Sequence, residues 1–183
     1  MLIKQGMTAL GVSSLVCVAM VGLQTRADVH EDEATITKAV AVLFPTKGSE
    51  VKGRVTFTRD GRKVHVHAEI SGLTPGDHGF HIHEFGVWSE DGMASGGHFN
   101  PTKSPHAGHE STKRHVGDLG NVTANASGNV TLDLDDSHMT FAGTNSIIGR
   151  GLVVHEKADD LKTQPTGNAG GRLAVGVIGV AKP

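Results

Sequence analysis

The stretch EVKGRVTFTRDGRKVHVHAEI, residues 50–70, decides the fold. Val51, Gly53, Val55 and Phe57 alternate with polar or charged neighbours over Glu50–Thr58. That is the period-2 pattern of a half-buried strand. Asp60-Gly61 is a hairpin turn signal, and Val64–Ile70 returns as the partner strand. Within that return, His65 and His67 fall on the face opposite Val64 and Val66, which suits a solvated outer wall.

Working outward, Ile36–Phe44 is rich in Val and Ala, stops at Pro45 and reads as a strand before the hairpin, so that three successive strands form a meander. Downstream, strands are expected at Gly79–Phe85, Leu119–Ala124, Val130–Leu134, Ile147–His155 and Leu173–Val180. About eight short strands, frequent turn signals and no convincing helix or repeat argue an all-β domain, a β-sandwich or Greek-key barrel. The 183 residues suit one domain. A composition with 25 Gly and only 4% aromatic residues fits strands and turns. A formal net charge of -2 offers no basic footprint for nucleic acid.

Residues 1–27 have the layout of a signal peptide: Lys4, an apolar run from Thr8 to Leu23, then Thr25-Arg26-Ala27. The run is short for a bilayer span, although an uncleaved N-terminal anchor is the alternative. The expected division is therefore a leader over 1–27 and one domain over 28–183, exported to a periplasmic or extracellular location with no membrane attachment after cleavage. Cys17, the single cysteine, lies in the leader, so the exported domain has no disulfide available.

The compositional outlier is histidine, at 12 residues. HFNPTKSPHAGHESTKRHVGD, residues 98–118, spends four histidines and an aspartate in a loop too polar for core, and His81-Ile82-His83 stands before it. Two residues along a strand cover about 6.6 Å and return to the same face, so both imidazoles can converge on one ion while Ile82 packs inward. Together these segments read as a metal site pivoting on His98. His30, His65, His67, His78, His109 and His138 are read as surface or structural residues. The Asn-X-Ser/Thr matches at Asn121, Asn125 and Asn129 are attributed to strand edges rich in Asn, Ser and Thr.

GFHIHEFG, GGHFNP, RHVGDLGNVTA, IIGRGLVVHEKADDL and GNAGGRLAVGVIG occur in this order and strongly resemble the copper–zinc superoxide dismutase family over roughly residues 35–182. The resemblance implies an eight-stranded, immunoglobulin-like Greek-key barrel with long metal-binding and electrostatic loops. It implies copper on His81, His83, His98 and His155, and zinc on His98, His106, His115 and Asp118. It places Asp159 between the two metal sites, and it makes Arg172 and His98 the catalytic residues. The implied reaction is disproportionation of superoxide anion to O2 and hydrogen peroxide, in an enzyme that is usually a homodimer. The donor chemistry agrees: imidazole suits both metals, and three His with one carboxylate make a closed zinc site. A copper-binding relative without turnover, or a sandwich whose loop buffers zinc, are the competing readings. The first should lack ligands or the arginine, and the second does not account for His155 and Arg172.

Two departures from the family stand out. Where its disulfide would tie the long loop to the last strand, this chain has Gly92-Met93 and Val175, so the closed zinc site is the expected tether. The segment Leu161–Gly167 is short and lacks paired glutamates, leaving Arg172, with Lys157 and Lys162, to supply steering charge.

Overall fold

The computed structural model describes residues 36–183. The leader expected over 1–27, with Cys17, and His30 lie outside the described residues. Among the described residues no helix is long and apolar enough to cross a membrane.

The alternating stretch forms strands β2 (Lys52–Asp60) and β3 (Lys63–Ser71), preceded by β1 (Lys38–Pro45). The hairpin closes one residue later than the turn signal suggested: Asp60 pairs with Lys63, leaving Gly61-Arg62 as the loop. Gly61 takes a φ of 58°, which the first central position of this tight turn requires. Val55, Phe57, Val66 and Ala68 are fully buried, whereas His65 and His67 stand on the outer wall, as alternation demands. Each buried large side chain contributes about 1.5–3 kcal/mol of hydrophobic stabilisation.

The remaining strands are β4 (Gly76–His83), β5 (Asp118–Ala124), β6 (Val130–Asp136), β7 (Gly151–His155), β8 (Arg172–Val177) and β9 (Gly179–Val180). Their order is β5-β4-β7-β8-β1-β2-β3-β6, with β9 beside β1. All pairings are antiparallel, and the end strands β5 and β6 approach each other to nearly close a barrel. After the meander, β3 pairs with β6 and not with its successor β4, and this crossover is the Greek key. The expected last strand is broken at the buried Ile178: β1 pairs its Pro45 end with β8 and its Ala39 end with β9. Two long connections leave the barrel on the side of β4 and β7. One runs from Glu84 to Gly117 and includes a short 3-10 segment, Glu90–Ser95; the other joins β7 to β8.

Candidate metal centre

Strand pairing brings the histidines together. On β4, Phe80 and Ile82 enter the core while His81 and His83 point to the opposite face, and all four are buried because the long loops cover that face. Phe80 pairs with Val154 and His83 with Gly151, which sets His155 at the end of β7 beside them. Gly79 leaves the necessary space: a Cβ there would lie 3.0 Å from His81 Cε1 and 2.8 Å from Ala169 Cβ.

His98 is delivered by backbone bonds that stitch the loop onto β4. Phe99 N–H donates to Ile82 O (2.8 Å), Ile82 N–H to Gly117 O (2.9 Å) and Glu84 N–H to Gly97 O (2.9 Å). The buried Phe99 ring, capped by the Arg150 guanidinium at 4.1 Å, anchors this crossing in the core.

Two donor groups result, each with its ligand atoms within 4.8 Å of one another: His81, His83, His98 and His155; and His98, His106, His115 and Asp118. His98 belongs to both and faces them with different nitrogens. Its Nδ1 lies 2.8 Å from Asp118 Oδ1, where His106 Nδ1 (3.0 Å) and His115 Nδ1 (3.1 Å) also converge. Asp118 Oδ2 is aimed by the N–H groups of Ala107 (3.1 Å) and His115 (3.0 Å). On the other side, His98 Nε2 and His81 Nδ1 are buried without any hydrogen-bond partner, while His83 Nε2 and His155 Nε2 stand 3.2 Å apart. A buried polar atom without a partner costs about 1–3 kcal/mol. These four ring nitrogens, two of them without any partner, fit a borderline cation such as copper, and the three-nitrogen, one-carboxylate set fits zinc.

Electrostatics prepare both sets. Burial pushes His98 down to about 4 and His155 to about 3, and it lowers His81 and His83 as well, so these imidazoles are neutral and able to ligate. The Asp118 carboxyl is opposed by burial, yet hydrogen bonds from His106, His115 and His98 hold it well below the usual carboxylate range. Burial also acts against charge on His106, but bonds to Asp118 and Asp159 outweigh it and raise its pKa to about 9.

Asp159 joins the two groups. Its Oδ2 accepts from His81 Nε2 (2.8 Å) and its Oδ1 from His106 Nε2 (2.9 Å), orienting one ring of each set through its remote nitrogen. Asn121 fixes Asp159 by donating to its carbonyl (2.9 Å) and accepting from its N–H (2.7 Å). Gly167 is pressed against the same carboxylate; a Cβ there would sit 1.7 Å from Asp159 Oδ1. Gln164, which sequence reasoning overlooked, clasps the His106 backbone through Oε1 (2.7 Å) and Nε2 (2.8 Å).

Arg172 pairs with His155 across β7 and β8. Its guanidinium donates to Gly92 O, to Ser95 Oγ (2.7 Å) and to Gly96 O (2.5 Å). Gly96 O also accepts from His83 Nδ1 (2.8 Å), so the positive charge sits one carbonyl away from the four-histidine group. That charge adds to burial in lowering His83 and His155.

The sequence of residues 51–178 matches the family model described as copper/zinc superoxide dismutase. The chain belongs to the copper/zinc superoxide dismutase family. The extracellular copper–zinc superoxide dismutase of Drosophila melanogaster is 48% identical over 154 residues, covering 78% of this chain and 85% of the relative. That of Brugia pahangi is 43% identical, covering 80% and 79%. The solved structure of the clock protein EA4 superposes with a TM-score of 0.75 at 45% identity, covering 80% of this chain and 96% of that one. The protein is accordingly an oxidoreductase that disproportionates superoxide, with copper and zinc as its metals. Its superoxide dismutase fold is the nearly closed eight-stranded barrel expected from the strand pattern.

The missing disulfide finds its place in this superoxide dismutase. A Cβ on Gly92 would meet Val175 Cγ2 at 2.5 Å and Val175 Cβ at 3.7 Å, so the two departures noted in the sequence face each other. Beside the zinc site expected as a tether, groups of the chain itself hold this loop: the Arg172 guanidinium, and Lys47 N–H donating to Asp91 Oδ1 (3.1 Å).

Proposed function

We propose that His81, His83, His98 and His155 hold copper and that His98, His106, His115 and Asp118 hold zinc, with His98 serving both. The observation that carries this assignment is the pair of buried nitrogens without partners, His81 Nδ1 and His98 Nε2, facing the paired Nε2 atoms of His83 and His155. Copper held there would supply one-electron exchange with superoxide, the chemistry that takes one anion to O2 and the next, with two protons, to hydrogen peroxide. Arg172 offers the anion a fixed positive charge beside the four histidines, held in place by Gly92 O, Ser95 Oγ and Gly96 O. His98 holds or releases a proton at Nε2 and so delivers one of the two protons that peroxide needs, while its Nδ1 stays committed to the zinc side. Asp118 and Asp159 keep the rings aimed during this exchange.

Metal analysis with an activity assay tests the assignment. His155→Ala is expected to lose copper and activity and to keep zinc, and His115→Ala to lose zinc first. A His155→Ala protein with full copper and full activity would overturn it.

The active unit is a homodimer in which a second copy covers one apolar face. Val42, Phe44, Trp88 and Val177 are each 42–56% exposed and line a single groove between β1, β8 and the loop before the 3-10 segment. A contiguous apolar patch of this kind marks an association surface. Light scattering on Phe44→Lys is expected to show a monomer where the wild type is dimeric. Export is supported by relatives named extracellular and by the leader-like residues 1–27. Mass spectrometry of the secreted protein reads the N-terminus directly.

A further inference from the structure

We propose that the outer wall of the β3–β6 pair carries a further divalent-metal site, built from His65, His67, Asp133 and Asp135, that takes Zn2+ or Cu2+. None of the four residues contributes to the buried centre. His65 and His67 are spaced i, i+2 on one strand, so their rings leave the same face about 6.6 Å apart. The register sets Asp135 directly opposite His65 and Asp133 directly opposite His67. Cross-strand partners approach to about 5 Å at Cβ, so the four side chains form one compact patch.

The contacts within the patch run through one oxygen of each carboxylate. Asp133 Oδ1 lies 2.7 Å from His67 Nδ1 and 3.3 Å from His65 Nε2, and His65 Nδ1 lies 2.9 Å from Asp135 Oδ1. Two imidazoles and two carboxylates are a donor set that zinc and copper share. The rings are 42% and 41% exposed, so they can turn to bring their nitrogens onto one ion without disturbing the core. On the β2 side their neighbours are Thr58 and Thr56, which are uncharged, and Glu69 continues the same face. Lys63 Nζ lies 3.8 Å from Asp135 Oδ2, and its exposed chain can swing away. Asp135, helped by Asp133, favours a proton on His65, and a metal ion would take that proton's place. The site therefore loads better as pH rises. Facing solvent, it suits an ion that enters and leaves.

The test is calorimetric titration of Zn2+ into enzyme already loaded with copper and zinc, comparing wild type with His65→Gln/His67→Gln. Wild type is expected to bind one further equivalent per chain and the double variant to lose it, with dismutase activity equal in the two. Asp133→Asn, which keeps both rings, should weaken the same equivalent. Absence of any uptake by wild type beyond the loaded metals would overturn the proposal, as would equal uptake by the double variant.

Discussion

Restoring a covalent tether between Gly92 and Val175 tests how the long loop is held. Ordinary disulfides have Cβ atoms about 3.5–4.5 Å apart, and a Cβ built on Gly92 lies 3.7 Å from that of Val175. Gly92→Cys/Val175→Cys, in a Cys17→Ser background, should therefore oxidise without moving the backbone. The bridge closes a loop of about 80 residues, for which chain entropy predicts about 4.5 kcal/mol against the reduced form of the same protein. At about 2–4 °C per kcal/mol for a chain of this size, the oxidised variant should melt roughly 9–18 °C above its reduced form. The gain over wild type is smaller. Gly92 has a φ of 82°, where a side chain costs about 1–2 kcal/mol, and replacing the buried Val175 loses about 1 kcal/mol of apolar burial. Both costs are common to the two redox forms and cancel between them. Thiol titration and calorimetry with and without reductant measure the effect. Two free thiols after oxidation, or equal melting of the two forms, would refute the geometry.

Arg172→Ala should lower kcat/KM and also the melting temperature, because the guanidinium proposed to attract the anion is also a donor to three groups of the loop; steady-state kinetics and calorimetry would show the reasoning wrong if either stayed unchanged. Asp159→Asn can accept from only one of His81 and His106 without a clash of donors, so zinc affinity should fall about 10–100-fold, as read by chelator competition. In metal-free protein the pH profile of urea unfolding should decline on both sides of neutrality. His98 and His155 are held down to about 4 and 3, so their contribution is present above 6.5 and is lost as pH falls through those values. His106 is held up to about 9, so its contribution is present below 6.5 and is lost as pH rises through about 9; His106→Gln should abolish that alkaline limb.

What the sequence made legible depended on whether the cause was local. Alternation and a glycine turn are local, so the β2–β3 hairpin and the outward histidines could be read directly, with an error of one residue in the turn. The His81/His83 pair was local too. The approach of His155 and Arg172 to that pair arises from β7 entering between β4 and β8, a pairing no periodicity encodes, and only the resemblance of the surrounding motifs pointed to it. The carboxylates facing His65 and His67 were hidden for the same reason, since β3 and β6 meet through the Greek-key crossover.

Part of the loop's tether was hidden for a different physical reason. The proposed zinc ligands lie within residues 98–118, but Gly92, Ser95 and Gly96 lie before that segment and are gripped mainly through carbonyl oxygens, which every residue type possesses and no motif reveals. In the proposed mechanism one guanidinium thereby does two things that the family usually divides between an arginine and a disulfide. Its charge is fixed in place by the same bonds that fix the loop. Substrate attraction and loop stability should thus fall together when Arg172 is removed, and separate only when the Gly92–Val175 bridge takes over the tether.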